Sequence, residues 1–533
     1  MNLVLTALPP EPVIDAGFEP CLPLPDMFAG SECSQQVVDL AEQIQRHQFP
    51  ILAWTIDTGP EIRWRRDYRR GIETGLAYFR RIPYLDAGRA GDHKVIWELN
   101  RHQHLVVLAQ AYRLTGDVRY LDEIRAQVES WIDGNPFHRG INWASALEVA
   151  FRALSWIGVY QLAGREMPVQ FRVRWLHMLY LHGCHLANNL SIYFSPNNHL
   201  VGEALALHAL GLFFAGKPRA ESWERTGGRV MREQMDLQIR GDGSSFEQST
   251  YYQVYVLDMF SLHAALANPD ASYLAKLERM TEFLQAVTGP SGLAPMLGDD
   301  DGGRLLAGPL ERASGAGKWE SRLFPDAGLA VMSHGAVHAI VDAGPFGALH
   351  SGHSHSDALS IILRNGNEEI LIDPGTYTYT GEPEWRDWFR SSAAHNTIRI
   401  DGRDQAVMAG PFRWTDQPKV EILEWRTDSQ RDAIEAECRY FGFTHRRRVE
   451  FQKPDIFLIT DHVNGPPGEH DVEQFWYLGS VAASSKFTLP AGADLISSWR
   501  STKFGEKHPS PMMRVQRRGC LPMTLETRIN LSR

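Results

Sequence analysis

Apolar residues recur at three- and four-residue steps through much of residues 34–290. This spacing puts them on one face of a helix, and several of the segments end in Gly or Asn, which is typical of helix C-termini. Helices in succession with short connections predict stacked antiparallel hairpins, an incomplete barrel of the α/α toroid type. The segments include VVDLAEQIQRHQF, KVIWELNRHQHLVVLAQAYRLTG, WASALEVAFRALSWIGVYQLAG, LVGEALALHALGLFFAG and TYYQVYVLDMFSLHAALAN.

The pattern changes near residue 300. The Gly-rich and charged stretch GDDDGGRLLAGPLERASGAGKWE predicts a linker, with the three aspartates 299–301 in a solvated loop. Beyond it, short β-type runs such as AVHAIVDAG, ALSIILRNG and IFLITDHV are separated by turn signals, which predicts an antiparallel β-sandwich. We therefore expect an irregular N-terminal segment over 1–40, an α/α toroid domain over 41–310 and an antiparallel β-sandwich domain over 320–533.

Composition narrows the classes of function. The 533 residues carry a net charge of −10 and five scattered cysteines, which argues against a nucleic-acid-coating protein and against a disulfide framework. No apolar run approaches about 18 residues, so no membrane insertion is expected. The N-terminus lacks the basic and apolar regions of a signal peptide, so we expect a cytoplasmic protein, or a periplasmic or secreted one if a signal precedes this sequence. Oligomeric state stays open.

The first candidate constellation is the segment SPNNHLVGE, which holds Asn198, His199 and Glu203. His199 falls where a helix is predicted to begin, and the partial positive charge of a helix N-terminus favours a neutral imidazole. Asn198 would offer an amide donor beside it. The alternative is a polar cap on an ordinary helix.

The second constellation is GDGSSFEQSTYYQVY, a Gly-rich loop that runs into an aromatic helix start. Tyr252 and Tyr255 are expected to share a helical face, with Tyr251 on another. A phenol can exchange a proton with a substrate as base or acid. The alternative is that these tyrosines only pack between helices.

The third constellation is HSGHSHSD, in which His353 and His355 would project to one face if the segment is extended. Asp373 and His395 follow 20 to 40 residues later. Two histidines and an aspartate form a zinc-type ligand set; a hydrogen-bonded histidine cluster without metal is the alternative. Nearby cationic and amide residues could bind an anion: Arg386, Arg390, Asn396 and Arg399.

Together these residues could supply a base, an acid, carboxylate partners and a metal site. β-Elimination beside a uronic acid needs one group to neutralise the C6 carboxylate, another to remove the C5 proton and another to protonate the departing oxygen. No water attacks, so the paired carboxylates of a glycosidase are not required.

The sequence resembles the heparinase II/III-like polysaccharide lyases over roughly residues 45–410. The resemblance is carried by WELNRHQHLVVLAQAY, NWASALEVAFRALSW, SPNNHLVGEALAL and DGSSFEQSTYYQ in the first half, and by HSHSDALSIILRNGNEEILIDPGTYTYTGEPEWRDWFRSSAAHNTIRIDGRDQ in the second. It implies an α/α toroid followed by an antiparallel β-sandwich, and a lyase that cleaves a uronic-acid polysaccharide by β-elimination.

The resemblance also implies roles by motif. Asn198 and His199 match the pair that neutralises the substrate carboxylate or assists proton removal, Tyr252 matches the acid/base tyrosine, and His353 matches the catalytic histidine. Tyr255 is the second choice for the tyrosine, because spacing does not fix the helix register. The zinc ligands of zinc-binding members match His355, Asp373 and His395, which implies a structural zinc ion. The substrate-binding candidates are Glu203, Glu247, Tyr255, Arg390 and Asn396.

Two alternatives belong to other classes. A glycoside hydrolase on a related toroid would need a carboxylate pair, for example Glu247 with Asp242 or Asp299. A catalytically silent glycan-binding protein of exopolysaccharide assembly would need none of these residues to act. The expected partner in all three cases is an acidic polysaccharide or oligosaccharide.

Overall fold

A computed structural model describes residues 14, 17–20, 22, 34–193, 195–305 and 319–532. By its contacts the chain divides into two compact units. The helical unit comprises Met1–Asp236, Asp258–Leu274 and Gly303–Arg312, and the β unit comprises Leu237–Leu257, Ala275–Gly302 and Ala313–Arg533. Most of the predicted irregular segment 1–40 lies outside the described residues, and regular structure begins with a helix at Ser34.

Helices dominate the chain up to residue 288. Where the sequence is apolar all round, as in Ala146–Ala163, nearly every side chain is buried, whereas Arg119–Gly134 is amphipathic and buries one face. Two short hairpins, β1 Gln48–Ile51 with β2 Trp54–Asp57 and β3 Arg66–Asp67 with β4 Ile72–Glu73, precede the main helices. The helices are α1 Ser34–Gln45, α2 Ala87–Ala90, α3 His93–Asn100, α4 Gln103–Thr115, α5 Arg119–Gly134, α6 Ala146–Ala163, α7 Val169–Asn189, α8 Asn198–Phe213, α9 Ala220–Gln238, α10 Thr250–Ala267 and α11 Ala271–Thr288.

The helical unit is built in two layers. Helices α1, α4, α6 and α8 pack side by side in that order, while α5 and α7 pack against each other and against this row. Two glycines bring α9 against α8: a Cβ on Gly211 would lie 2.3 Å from the backbone nitrogen of Glu224, and one on Gly227 2.5 Å from that of His208. The predicted helical hairpins of an α/α toroid are therefore confirmed. Among the described helices, none is long and apolar enough to cross a membrane.

In its described residues the β unit holds three antiparallel sheets of five, six and four strands and one small hairpin. The strand orders are β5-β6-β7-β8-β9, β13-β14-β15-β16-β21-β18 and β10-β17-β20-β19, and β11 pairs with β12. The elements are β5 Arg322–Phe324, β6 Leu329–His334, β7 Val337–Asp342, β8 Ser360–Asn365, β9 Glu368–Leu371, α12 Pro383–Phe389, β10 Ile398–Ile400, β11 Val407–Met408, β12 Trp414–Thr415, β13 Lys419–Thr427, β14 Arg431–Tyr440, β15 Phe443–Gln452, β16 Ile456–Asn464, β17 Glu469–Tyr477, β18 Phe487–Thr488, β19 Ala493–Arg500, β20 His508–Cys520 and β21 Met523–Asn530.

One apolar core joins these sheets. It contains residues of all three, including Val341, Ile398, Val449 and Trp476. In β15 buried and partly exposed residues alternate, because successive side chains of a strand point to opposite faces. The predicted antiparallel β-sandwich is therefore confirmed.

Candidate active site

Tyr252 lies in the first turn of α10, inside the β unit, and only 3% of it is exposed. Its ring stacks on the imidazole of His353, with ring centroids 3.7 Å apart and planes 19° from parallel. Its hydroxyl oxygen is 3.0 Å from that of Tyr379, and it donates to Asp301 Oδ2 at 3.3 Å. The structure thus brings together the tyrosine and the histidine that lie 101 residues apart in sequence.

The surroundings of Tyr252 favour its protonated form. Burial raises the pKa of this phenol well above its ordinary value, and the neighbouring Asp301 and Tyr379 raise it further. In the protein without substrate, Tyr252 therefore has a proton to give, which suits a general acid.

The imidazole of His353 lies between two carboxylates. Its Nδ1 is 3.1 Å from Asp299 Oδ2, and its Nε2 is 3.4 Å from Glu247 Oε2. Asp299 is fully buried and forms a bidentate ion pair with Arg386, whose Nη2 is 2.8 Å from Oδ2. Burial alone would raise the pKa of Asp299, but Arg386 and the adjacent imidazoles outweigh it and hold that pKa well below its usual value.

Four residues of this site were missed or misplaced by the sequence analysis. The expectation that 299–301 form a solvated loop is wrong, because Asp299 is 0% and Asp301 7% exposed. Arg386 was expected only as part of an anion-binding group, and Tyr379 was not singled out. An acidic run in a Gly-rich stretch gives no local signal that one of its carboxylates is buried beside an arginine 87 residues away.

His355, Asp373 and His395 meet inside the β unit, with one potential ligand atom of each lying within 4.8 Å of the others. His395 Nδ1 is 2.7 Å from Asp373 Oδ2, and His355 Nε2 is 3.0 Å from Asp299 Oδ1. The remaining ring nitrogens, His355 Nδ1 and His395 Nε2, are buried and have no hydrogen-bond partner among the described residues. His355, which contacts the Asp299 carboxylate through Nε2 and leaves Nδ1 open toward the other two residues, is arranged as metal-binding histidines are. The donor set therefore fits a zinc ion.

Asn198 and His199 begin α8 in the helical unit. Asn197 is the N-cap, and its side chain accepts a hydrogen bond from the His199 backbone N–H at 3.1 Å. Asn198 is 1% exposed and His199 is partly buried. His199 also lies within electrostatic range of Glu148. Their catalytic roles stay predictions.

Two of the five substrate-binding candidates are buried and form hydrogen bonds within the protein. Arg390 is fully buried, donates to the carbonyl oxygens of Gly410 and Pro411, and lies over the Trp414 ring. The Asn396 amide donates to the carbonyl oxygens of Ile361 and Ile372, and its oxygen accepts from the Tyr477 N–H. Both side chains thus make several contacts within the protein, and their substrate-binding roles stay predictions.

The other three candidates are also buried. Tyr255 lies one turn after Tyr252, with ring centroids 6.1 Å apart, and Glu247 contacts His353 as described above. Glu203 is 0% exposed, and its two oxygens accept from the backbone N–H and the hydroxyl of Ser191. Glu203 therefore connects the segment before α8 to that helix through these two hydrogen bonds.

The Glu203→Gln substitution is expected to remove a pH dependence of stability. Burial raises the pKa of Glu203 to about 8, above its ordinary 4.5. The native carboxyl then binds its proton more tightly than the unfolded one, so the free energy of unfolding falls as pH rises between these two values, by about 1.4 kcal/mol for each pH unit. Glutamine mimics the neutral acid, so urea unfolding at pH 5.5 and 8.5 should show a smaller difference in this variant. Glu233→Gln, at an exposed ion pair, is the control, and an unchanged pH slope in Glu203→Gln would contradict the assignment.

Helical hairpins followed by antiparallel sheets define the class of α/α-toroid and β-sandwich proteins. A solved structure of heparinase III shares this fold with a TM-score of 0.74 at 18% identity, and the match covers 95% of this chain and 87% of that one. The family model of the heparinase II/III N-terminus matches residues 28–305, and that of the heparinase II/III-like C-terminal region matches residues 316–510. The chain belongs to the heparinase II/III family.

Curated relatives carry a more specific name. A heparin-sulfate lyase from Bacteroides stercoris is 24% identical over 435 residues, which cover 70% of this chain and 62% of that protein. One from Pedobacter heparinus is 23% identical over 417 residues, covering 70% and 61%. The chain therefore spans less than two thirds of the length of these relatives.

Proposed function

We propose that this protein is a polysaccharide lyase that cleaves a uronic-acid-containing glycosaminoglycan or exopolysaccharide by β-elimination. The observation that carries the proposal is the buried Tyr252 hydroxyl beside the imidazole of His353, in a chain of the heparinase II/III family. The names of the curated relatives make heparan sulfate the first substrate to test.

The geometry supports different roles for the two side chains. The Asp299 carboxylate accepts the Nδ1–H of His353, and we assign the other ring nitrogen, Nε2, as the atom that takes the C5 proton. The electrons of that C–H bond form the C4=C5 double bond while the C4–O bond breaks. Tyr252 then donates its proton to the departing glycosidic oxygen, so neither water nor an oxidant is consumed. Asn198 and His199 are the candidates for neutralising the C6 carboxylate.

The hydrolase alternative receives less support. In one of its two proposed pairs, Glu247 with Asp299, the carboxylates contact the two nitrogens of one imidazole, and Asp299 is paired with Arg386. A carboxylate that is fully buried and bound to an arginine is unable to activate a water molecule or protonate a leaving group.

We also propose that His355, Asp373 and His395 hold a structural zinc ion. The support is the pair of buried, open ring nitrogens next to a carboxylate. When bound, zinc would order these three segments of the β unit. His355 and Asp373 lie on the loops that follow β7 and β9, and His395 precedes β10.

The proposal is tested by incubating the protein with heparan sulfate, heparin, hyaluronan, alginate and polygalacturonate while following the ultraviolet absorbance of unsaturated uronate. A rise on any polymer establishes elimination and names the substrate class. New reducing ends without this absorbance would establish hydrolysis instead. Tight binding of a polymer without either signal would favour the silent glycan-binding alternative.

A further inference from the structure

We propose that Asp299 is a positioning residue of the active site, which holds a proton on Nδ1 of His353 and fixes the orientation of its ring. This inference rests on the proposed lyase function but concerns a residue to which neither the family motif nor the comparisons give a role. Asp299 sits in the acidic run at the end of the sequence LAPMLGDDD, outside the histidine-rich segment that it organises.

Asp299 is held from several sides at once. Arg386 pairs with both of its oxygens, and the His355 Nε2–H occupies Oδ1 at 3.0 Å. Its backbone N–H donates to the carbonyl oxygen of His353 at 2.9 Å, so the two residues are joined through main chain as well as side chain. Arg386 in turn donates to the carbonyl oxygens of Gly352 and Pro411. These contacts fix the orientation of the Asp299 carboxylate, so Oδ2 faces His353 Nδ1 in one direction.

The consequence for His353 is a defined position for one ring proton. The Asp299 carboxylate, already paired with Arg386, can only accept from the imidazole, so Nδ1 must carry a proton. The ring plane is fixed as well, because it stacks on Tyr252 at 3.7 Å. Each Asp299 oxygen accepts from Arg386 and from one histidine, so an asparagine NH₂ in place of either oxygen would leave one Arg386 N–H and one histidine N–H without an acceptor.

A second buried cluster of the β unit offers a matched control. Asp461 is also 0% exposed, forms a bidentate pair with Arg447 and accepts from His445 Nε2 at 2.7 Å. It lies on β16 opposite Arg447 of β15. The two aspartates thus have the same kind of partners, but His445 contacts no residue of the candidate active site that the structure describes. Asp461→Asn therefore measures how much stability the protein loses when such a buried network is disrupted away from the active site.

The test compares Asp299→Asn, Asp461→Asn, His353→Gln and the Asp299→Asn/His353→Gln double variant. A misplacement of about 1 Å can cost about 100-fold in rate, so Asp299→Asn should lower kcat by about that factor with KM nearly unchanged. Folded Asp461→Asn should keep the wild-type kcat. Because Asp299 acts through His353, the double variant should be no slower than His353→Gln. Equal kcat in Asp299→Asn and wild type, or losses that add in the double variant, would overturn the proposal.

A spectroscopic readout is independent of turnover. The Nδ1 proton of His353, hydrogen-bonded to a carboxylate, should give a downfield imidazole resonance that disappears in His353→Gln. It should also disappear in Asp299→Asn and persist in Asp461→Asn. If the resonance persisted in Asp299→Asn, the positioning role would be overturned even if no polymer were cleaved. If the resonance disappeared in Asp299→Asn while the wild-type protein cleaved no polymer, Asp299 would still be the group that orients His353, and only the lyase function would be refuted.

Discussion

Replacing Tyr252 with phenylalanine should lower kcat by about two to four orders of magnitude, the usual contribution of a general acid or base. The expected cause is the loss of the proton for the departing glycosidic oxygen, because the ring itself remains to stack on His353. The hydroxyl makes hydrogen bonds only to Tyr379 and Asp301 among the contacts described above, so the cost in stability should be about 1 kcal/mol. The measurement is the initial rate of unsaturated uronate formation on the polymer that the panel identifies.

Tyr440→Phe is a matched control for this experiment. Tyr440 is another buried tyrosine of the β unit, 5% exposed, and its hydroxyl has no hydrogen-bond partner within the described part of the chain. Removing that hydroxyl should change neither rate nor stability. If Tyr252→Phe retained the wild-type kcat, or if Tyr440→Phe lost as much activity, the assignment of Tyr252 as the acid would be wrong.

Among these predictions, removal of the metal should lower the stability of the folded protein the most. A ligand that binds only the folded protein stabilises it by about 4 kcal/mol at a free concentration a thousand times its Kd. A chelator should therefore lower the Tm of the wild-type protein, and zinc analysis should find one ion per chain before treatment. His395→Gln should start at the lower Tm and show no further response to the chelator.

The control for the metal experiment is a histidine of the same unit away from the site. His462 on β16 is exposed and contacts Thr524, so His462→Gln should respond to the chelator as the wild type does. If the native protein contained no zinc and the chelator did not change its Tm, the three residues would be a hydrogen-bonded cluster without a metal.

The order of helices and strands could be predicted from the sequence because each depends on local periodicity. The apolar steps of WASALEVAFRALSWIGVYQLAG became α6, and the alternating run around IFLITDHV became β16. The last strands, β19 to β21, were not singled out, since segments such as PSPMMRVQRRGC mix prolines and charges with apolar residues. In these segments the strand conformation is stabilised by pairing with neighbouring strands, for example of Val515 with Gln474, and not by the local sequence preference for β structure.

The family, the two-part architecture and the motifs that hold Tyr252, His353 and the ligand set could be read from the sequence, because those signals lie within short segments. The folded structure was needed to show that Tyr252 stacks on His353, that Asp299 is buried and bound to Arg386, and that Asn396 hydrogen-bonds the backbone of the sheets. Each of these depends on groups brought together across 80 or more residues. Burial and charge pairing are properties of the folded neighbourhood, so residues of one type, such as Asp299 and Asp300, acquire different environments that their immediate sequence does not distinguish.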